Sequence, residues 1–194
     1  MTDRTSTDRV RDLRPEPLGE ADFQLFGQVL VPGTEEPHFR GVGTHAWIMD
    51  FDADGSTQLM TLNSWYQGLS FSMLERHFAV TQTFIATGGS PSVVALAPPG
   101  VVDDRDRVPE IGDVRAFVIE PGTGYLLHRG TWHSLDRFPL YPPGSTFAVI
   151  TTTETTDELQ RAPSDRWAEA TTRWSLTQMY DYREQRGISF RFAL

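Results

Sequence analysis

The chain has 194 residues, with 17 basic and 26 acidic side chains and a formal net charge of -9. That length fits one domain with a substantial core, and the acidic balance argues against an extended nucleic-acid or anionic-membrane surface, either of which would repel it. Cysteine is absent and all 17 basic residues are arginine, which excludes disulfides, thiolate chemistry, cysteine-held metal and lysine Schiff bases.

Residues 1–17, MTDRTSTDRVRDLRPEP, are polar, charged and punctuated by proline, which predicts a flexible arm. They have no apolar signal core, and no run in the chain approaches the roughly 20 apolar residues of a membrane span. A cytoplasmic location and a small-molecule partner are expected, with no nucleic acid and no membrane. LGEADFQLFGQVL follows, with Leu18, Phe23, Phe26 and Val29 about a helical turn apart and Gly27 near the end, predicting a short helix that runs into a strand.

From there to residue 153 the pattern is of short strands between turn signals. HAWIMDF ends in DADG, where Asp54-Gly55 favours a tight hairpin turn, and TQLMTLNSW returns. TQTFIAT, SVVALAPP and VRAFVIEPGTGYLL are separated by Gly-Gly, Pro-Pro and Pro-Gly pairs, and STFAVITT closes the series. Many short strands with little helix indicate a mainly β sandwich or barrel over 18–153 rather than a parallel α/β sheet. The charged segment at 100–113 reads as a surface loop inserted between strands.

Beyond residue 153 the style changes. Ser164 or Asp165 offers a helix N-cap, and Trp167, Ala170, Trp174 and Leu176 form a loose apolar stripe. The extension over 154–194 is expected to be helical and to pack on the barrel or on a second subunit, ending in ISFRFAL, which alternates like a strand.

The chemistry concentrates in MLERHFAVTQTFIA and YLLHRGTWHSL. Glu75 and His77 are two apart, so on a strand they share a face, and Gln82 follows beyond a predicted bend. A carboxylate, an imidazole and an amide oxygen facing one interior suit a divalent metal, and His133 from another strand is the natural fourth ligand. Arg76, between Glu75 and His77, faces away from them on an ideal strand. Arg115 reads either as a barrel-lining anion site or as a surface ion pair, and Trp132 as a core or dimer contact. His38 and His45 read as structural or surface residues.

Glu75-x-His77 with Gln82, and Gly130 to His133 as GTWH, resemble the two metal motifs of the cupin superfamily, with Glu in place of the first His and Gln in place of the Glu. LERHFAVTQTFIA, SVVALAPP, VRAFVIEPGTGYLLHRGTWH and LGEADFQLFGQVL, in their order along residues 18–150, resemble the ureidoglycolate lyase family. The resemblance implies a cupin-type double-stranded β-helix barrel with a short N-terminal helix. It also implies a homodimer and cleavage of ureidoglycolate to glyoxylate and urea in allantoin catabolism, with a divalent metal, nickel being usual. Manganese, iron or zinc suit the same nitrogen and oxygen ligands.

Under that resemblance Glu75, His77, Gln82 and His133 hold the metal and His128 transfers the proton. The substrate, which carries a carboxylate, is contacted by Arg76, Arg115, Arg129 and Trp132, with Arg129 the main catalytic arginine. Some forty residues beyond the last barrel strand, Ser134-Leu135 after His133, and the segment from Pro32 to Phe51 depart from the family pattern. Two alternatives follow: a related metal-dependent cupin enzyme acting on another small hydroxy or amino acid, and a non-enzymatic ligand-binding cupin.

Overall fold

The computed structural model describes residues 9–33, 36–100, 104–161, 171–173 and 175–194. Strands β1 (Arg9–Leu13) and β2 (Pro15–Pro17) lead to helix α1 (Glu20–Phe23) and strand β3 (Gly27–Val29), and β4 (Phe39–Gly41) pairs with β5 (Thr44–Ala46). Next come β6 (Thr57–Trp65), β7 (Ser70–Phe71), β8 (Met73–His77), β9 (Thr83–Gly89) and β10 (Ser92–Ala97). A 3-10 turn at Ile111–Asp113 precedes β11 (Arg115–Ile119), β12 (Gly124–Leu127), β13 (Trp132–Ser134), β14 (Phe138–Pro139) and β15 (Gly144–Thr152). Helix α2 (Thr153–Arg161), β16 (Thr171–Arg173), β17 (Thr177–Asp181), helix α3 (Tyr182–Arg186) and β18 (Ile188–Phe192) follow.

The fold is mainly β, as the spacing of apolar runs predicts. An 8-stranded sheet runs β16-β17-β8-β13-β10-β11-β2, with β14 also on β10, and faces a 5-stranded sheet, β3-β12-β9-β15-β6. Between them lies the barrel core: Val94 and Leu96 from β10, Phe117 from β11, Phe84 from β9, Tyr125 and Leu127 from β12, and Phe147 from β15. Phe23 and Phe26 of the α1 region plug it, with Phe23 edge-on to Phe117 at 5.4 Å. Burying these rings is worth roughly 1.5–3 kcal/mol each.

A second core lies behind the larger sheet. Val93, Ala95 and Ala97 of β10 point there with Leu74 and Trp132, against Leu13, Tyr182, Phe190 and Phe192. The unbroken apolar run SVVALA follows from this position, because every residue of β10 is buried on one face of the sheet or the other. The cover is a three-stranded sheet, β1-β18-β7, in which Phe71 stacks on Phe190 and Phe192 at 5.2 and 5.1 Å.

Three expectations change. Residues 9–17 are not an arm: β1 pairs in parallel with β18 and β2 with β11, because Leu13 is an apolar side chain that the second core buries. The Asp54-Gly55 hairpin does not form between HAWIMDF and TQLMTLNSW. β6 instead pairs along its full length with β15, from Thr57↔Thr152 to Trp65↔Gly144, while Ile48 and Phe51 stay exposed. Gly55 does turn the chain at φ 118, but the Asp54 amide donates to Ala79 O at 2.7 Å.

The C-terminal segment carries the helices α2 and α3, yet its framework is strand. β17 adds to the edge of β8 from Thr177↔His77 to Asp181↔Met73, satisfying a ladder that β8 would otherwise leave open inside the protein. ISFRFAL forms β18 as its alternation predicts. The proposed caps Ser164 and Asp165, and Trp167, Ala170 and Trp174 of the stripe, lie outside the described residues. The 104–113 part of the inserted segment packs against the C-terminal strands, with Tyr182 donating its hydroxyl to Pro109 O at 2.7 Å and Arg105 donating to Ser175 O at 2.9 Å.

Candidate metal centre

Strand alternation sorts the side chains of β8 between the two cores. Leu74 and Arg76 face the second core, and Glu75 and His77 face the barrel interior. On β13 the neighbours Trp132 and His133 divide the same way, and the register sets His133 opposite Glu75. Cross-strand partners on one face have Cβ atoms about 5 Å apart, so the two side chains meet without any bend in the backbone.

Glu75, His77 and His133 are all buried, and each offers a ligand atom within 4.8 Å of the others. The histidine rings are 5.3 Å apart between centroids, and Glu75 Oε1 lies 4.0 Å from His77 Nε2 and 3.7 Å from His133 Nδ1. His133 Nδ1 also lies 3.0 Å from Ser134 O; a proton donated there leaves Nε2 with its lone pair. His77 Nδ1 contacts Thr177 Oγ1 at 3.1 Å, which turns its Nε2 toward Glu75.

Gln82 joins them. It lines a narrow cleft with His77, Val80, Leu127, His128, Thr131 and His133. Gly130, at φ 76, makes the tight turn that puts His128 and His133 on the same cleft, and its amide donates to His77 O at 2.7 Å. Glu75 Oε2, Gln82 Oε1 and His133 Nε2 are buried with no hydrogen-bond partner. Buried lone pairs without partners are costly in a folded protein; Gln82 and His133 line the same cleft and Glu75 lies against His133, so a cation bound among them would supply the missing partners. The donor set of one carboxylate, two imidazoles and an amide oxygen fits a divalent metal.

Burial sets the electrostatics. It pushes the Glu75 carboxyl up to about 8 against the opposing charge of Arg137, and it holds His77 down at about 4, with Arg137 acting in the same direction. His133 is held well below its usual range by burial, then by Arg137 and His77. The histidines are therefore neutral at pH 7, as metal ligation requires, and metal binding must displace a proton from Glu75.

The arginines expected at the substrate are placed elsewhere. Arg76 is buried on the opposite face, giving Nε and Nη2 to Gln178 Oε1 at 3.0 and 2.7 Å, Nη1 to Pro99 O and Nη2 to Asp104 O, and lying over the Trp132 ring. The same alternation that turns Glu75 inward turns it outward. Trp132 faces the second core with it, so neither touches the cleft. Arg115 binds Glu16 with Nε at 3.0 Å and Nη2 at 2.5 Å, an ion pair on the outer surface. Arg129 pairs with Asp52 at 2.9 Å and with Asp54, tying down the loop before β6. His128 lines the cleft.

Sequence reading missed Arg137, Tyr125 and Thr177. Arg137 is buried beside the site, over the Phe84 ring at 3.8 Å, with Nε donating to Tyr125 Oη at 2.6 Å. Burial raises the Tyr125 phenol, and Arg137 opposes that. The one available signal was the setting of Arg137 in RFPL, a charge followed directly by apolar residues.

A family profile described as "Ureidoglycolate lyase" matches residues 10–169. The chain is 32% identical over 141 residues to a ureidoglycolate lyase of Pseudomonas fluorescens, covering 64% of this chain and 75% of that one. Identity to the ureidoglycolate lyase of Rhodobacter capsulatus is 31% over 142 residues, 70% of this chain and 83% of the relative. With that of Azotobacter vinelandii it is 30% over 132 residues, 64% and 76%.

Proposed function

The chain belongs to the ureidoglycolate lyase family, and on that premise we propose that it is a carbon-nitrogen lyase that splits ureidoglycolate into glyoxylate and urea. The observation that carries the reading is the meeting of Glu75, His77 and His133 inside the barrel, with Gln82 on the same cleft and buried lone pairs unsatisfied. These four residues would hold a divalent metal, nickel by family resemblance, with manganese, iron or zinc as alternatives. When bound, the metal supplies Lewis-acid polarisation to the oxygens of a hydroxy acid.

The chain's own residues do the rest. Cleavage removes the proton of the substrate hydroxyl, converts that carbon to a carbonyl, breaks the bond to nitrogen and returns a proton to the departing urea. No water is consumed. His128 lines the cleft and is the residue to take the hydroxyl proton and deliver it to the urea nitrogen. Leu127 and Val80 line the same cleft and exclude water from the proton transfer. Arg129 acts indirectly, by fixing the loop at Asp52 and Asp54. The family reading extends to a homodimer in the cytoplasm; among the described residues no helix is long and apolar enough to cross a membrane.

A second reading, a related cupin enzyme for another small hydroxy acid, is favoured by one feature: Thr177, behind His77, lies beyond the matched 10–169 span. The experiment is release of urea and glyoxylate from racemic ureidoglycolate by protein loaded with nickel or manganese, beside a metal-stripped control. Metal-dependent release is expected. Folded, metal-loaded protein that releases neither product overturns the lyase reading and leaves the second.

A further inference from the structure

A guanidinium is a permanent cation with five N–H donors, and burying it without a counter-ion is costly. Arg137 is 1% exposed. Nε donates to Tyr125 Oη at 2.6 Å and Nη1 to Ser134 O at 2.8 Å, while Nη2 is buried with no hydrogen-bond partner. Among the described residues no ion pair joins it to a carboxylate. Arg115 and Arg129 each have two acidic partners, so Arg137 is the buried arginine at this site whose charge the protein does not neutralise by contact.

Its charge is nonetheless felt by Glu75, His77 and His133 alike. Glu75 Oε2 is likewise buried without a partner. The charges can be summed. Glu75 and Arg137 cancel, neutral histidines and Gln82 add nothing, and the charge of Asp136, which also acts on Glu75, is exposed and screened by solvent, so a divalent ion leaves the buried part of the site with a net positive charge in a low-dielectric interior. A neutral ligand cannot compensate that charge, whereas an α-hydroxy acid brings one negative charge on its carboxylate and a second when its hydroxyl loses a proton.

Resting on the lyase reading, we infer that Arg137 is a specificity-determining residue: its buried charge, which offsets that of Glu75 without contacting any carboxylate, leaves the charge of the metal to the ligand and makes the cleft select an α-hydroxy carboxylate over the corresponding neutral amide. Arg137 does not line the cleft itself; it lies behind it, over Phe84, whose ring meets His133 edge-on, and it acts through its charge, whereas Arg76, Arg115 and Arg129 are each committed elsewhere. Tyr125 and Ser134 hold its guanidinium in place, and Phe84 supports its face.

The test compares equilibrium binding of glycolate and glycolamide to nickel-loaded protein, by calorimetry, in wild type, Arg137→Met and Arg137→Lys, with metal content measured on each. Wild type is expected to prefer glycolate. Arg137→Met narrows that preference by roughly tenfold or more at unchanged metal content, and Arg137→Lys retains most of it. An unchanged ratio in metal-replete Arg137→Met overturns the inference. So does loss of the metal from that variant, since the charge would then serve Glu75 rather than the ligand. If Arg137→Met does not fold, Arg137→Gln, which keeps a donor for Tyr125, is read in the same way. Failure of the lyase reading shows instead as absent urea release by wild type, whatever the binding ratio.

Discussion

The two faces of β8 and β13 carry the same kinds of side chain to opposite ends. Facing the second core, Arg76 is buried but makes hydrogen bonds to Gln178, Pro99 and Asp104 and lies over Trp132. Facing the barrel, Glu75, Gln82 and His133 are equally buried but leave oxygen or nitrogen atoms unpaired. Burial of polar groups is common to both faces, so burial does not mark the site. What separates the two faces is unmet hydrogen-bonding capacity gathered on metal-ligating side chains: a satisfied network stabilises the fold, and an unsatisfied cluster of ligand atoms is completed by something the fold does not contain.

Replacing His133 with alanine should break the comparison from the barrel side. Metal content is expected to collapse and turnover to fall by roughly a thousandfold or more, with the unfolding midpoint little changed. Full metal occupancy in that variant would remove His133 from the ligand set. From the other side, Arg76→Ala should cost about 3 kcal/mol in denaturant unfolding, because Gln178 and two carbonyls lose a charged donor. The variant that still folds should bind metal with unaltered stoichiometry; metal loss without destabilisation would reverse the assignment of the two faces.

His128→Asn sharpens the division within the cleft. Metal should stay while turnover drops roughly a hundredfold, and unchanged turnover would exclude His128 from proton transfer. Thr177→Val removes the contact behind His77 and should weaken metal affinity by about tenfold, measured by competition with a chelator. If affinity does not move, β17 serves only to close the sheet.

The smallest expected effect is on metal-free stability. Glu75, raised by burial from its ordinary 4.5 to about 8, contributes stability that is full below 4.5 and is lost as pH rises through 8. His77, lowered from 6.5 to about 4, contributes stability present above 6.5 and lost as pH falls through 4. The two oppose each other in the shared range, so between about pH 6.5 and 8 Glu75 acts alone. The melting temperature of metal-free protein should fall across that window, and Glu75→Gln should flatten it; an identical slope in the variant would show that another group titrates there.

Much of the site was legible in the sequence. Period-two alternation put Glu75 and His77 on one face and Arg76 on the other, and the order of motifs joined Gln82 and His133 to them. All four metal candidates do line one interior. The arginines were less legible, since nothing local distinguishes an arginine that meets a substrate from one that meets Glu16 or Asp52. The Asp54-Gly55 hairpin failed for a related reason: the turn chemistry was right, but β15 offered β6 a nine-residue partner that HAWIMDF could not match.

By itself the sequence determined what is local: the strand-rich class, the faces of β8, and the absence of cysteine and lysine from any mechanism. Tertiary structure alone decided which distant segments became neighbours. It set Thr177 of the C-terminal strand behind His77, laid β1 beside β18, and brought Arg137 over Phe84 and onto Tyr125. The physical reason is that side-chain periodicity is fixed by backbone geometry within a few residues, whereas strand pairing is chosen by burial and hydrogen bonding summed over the whole chain.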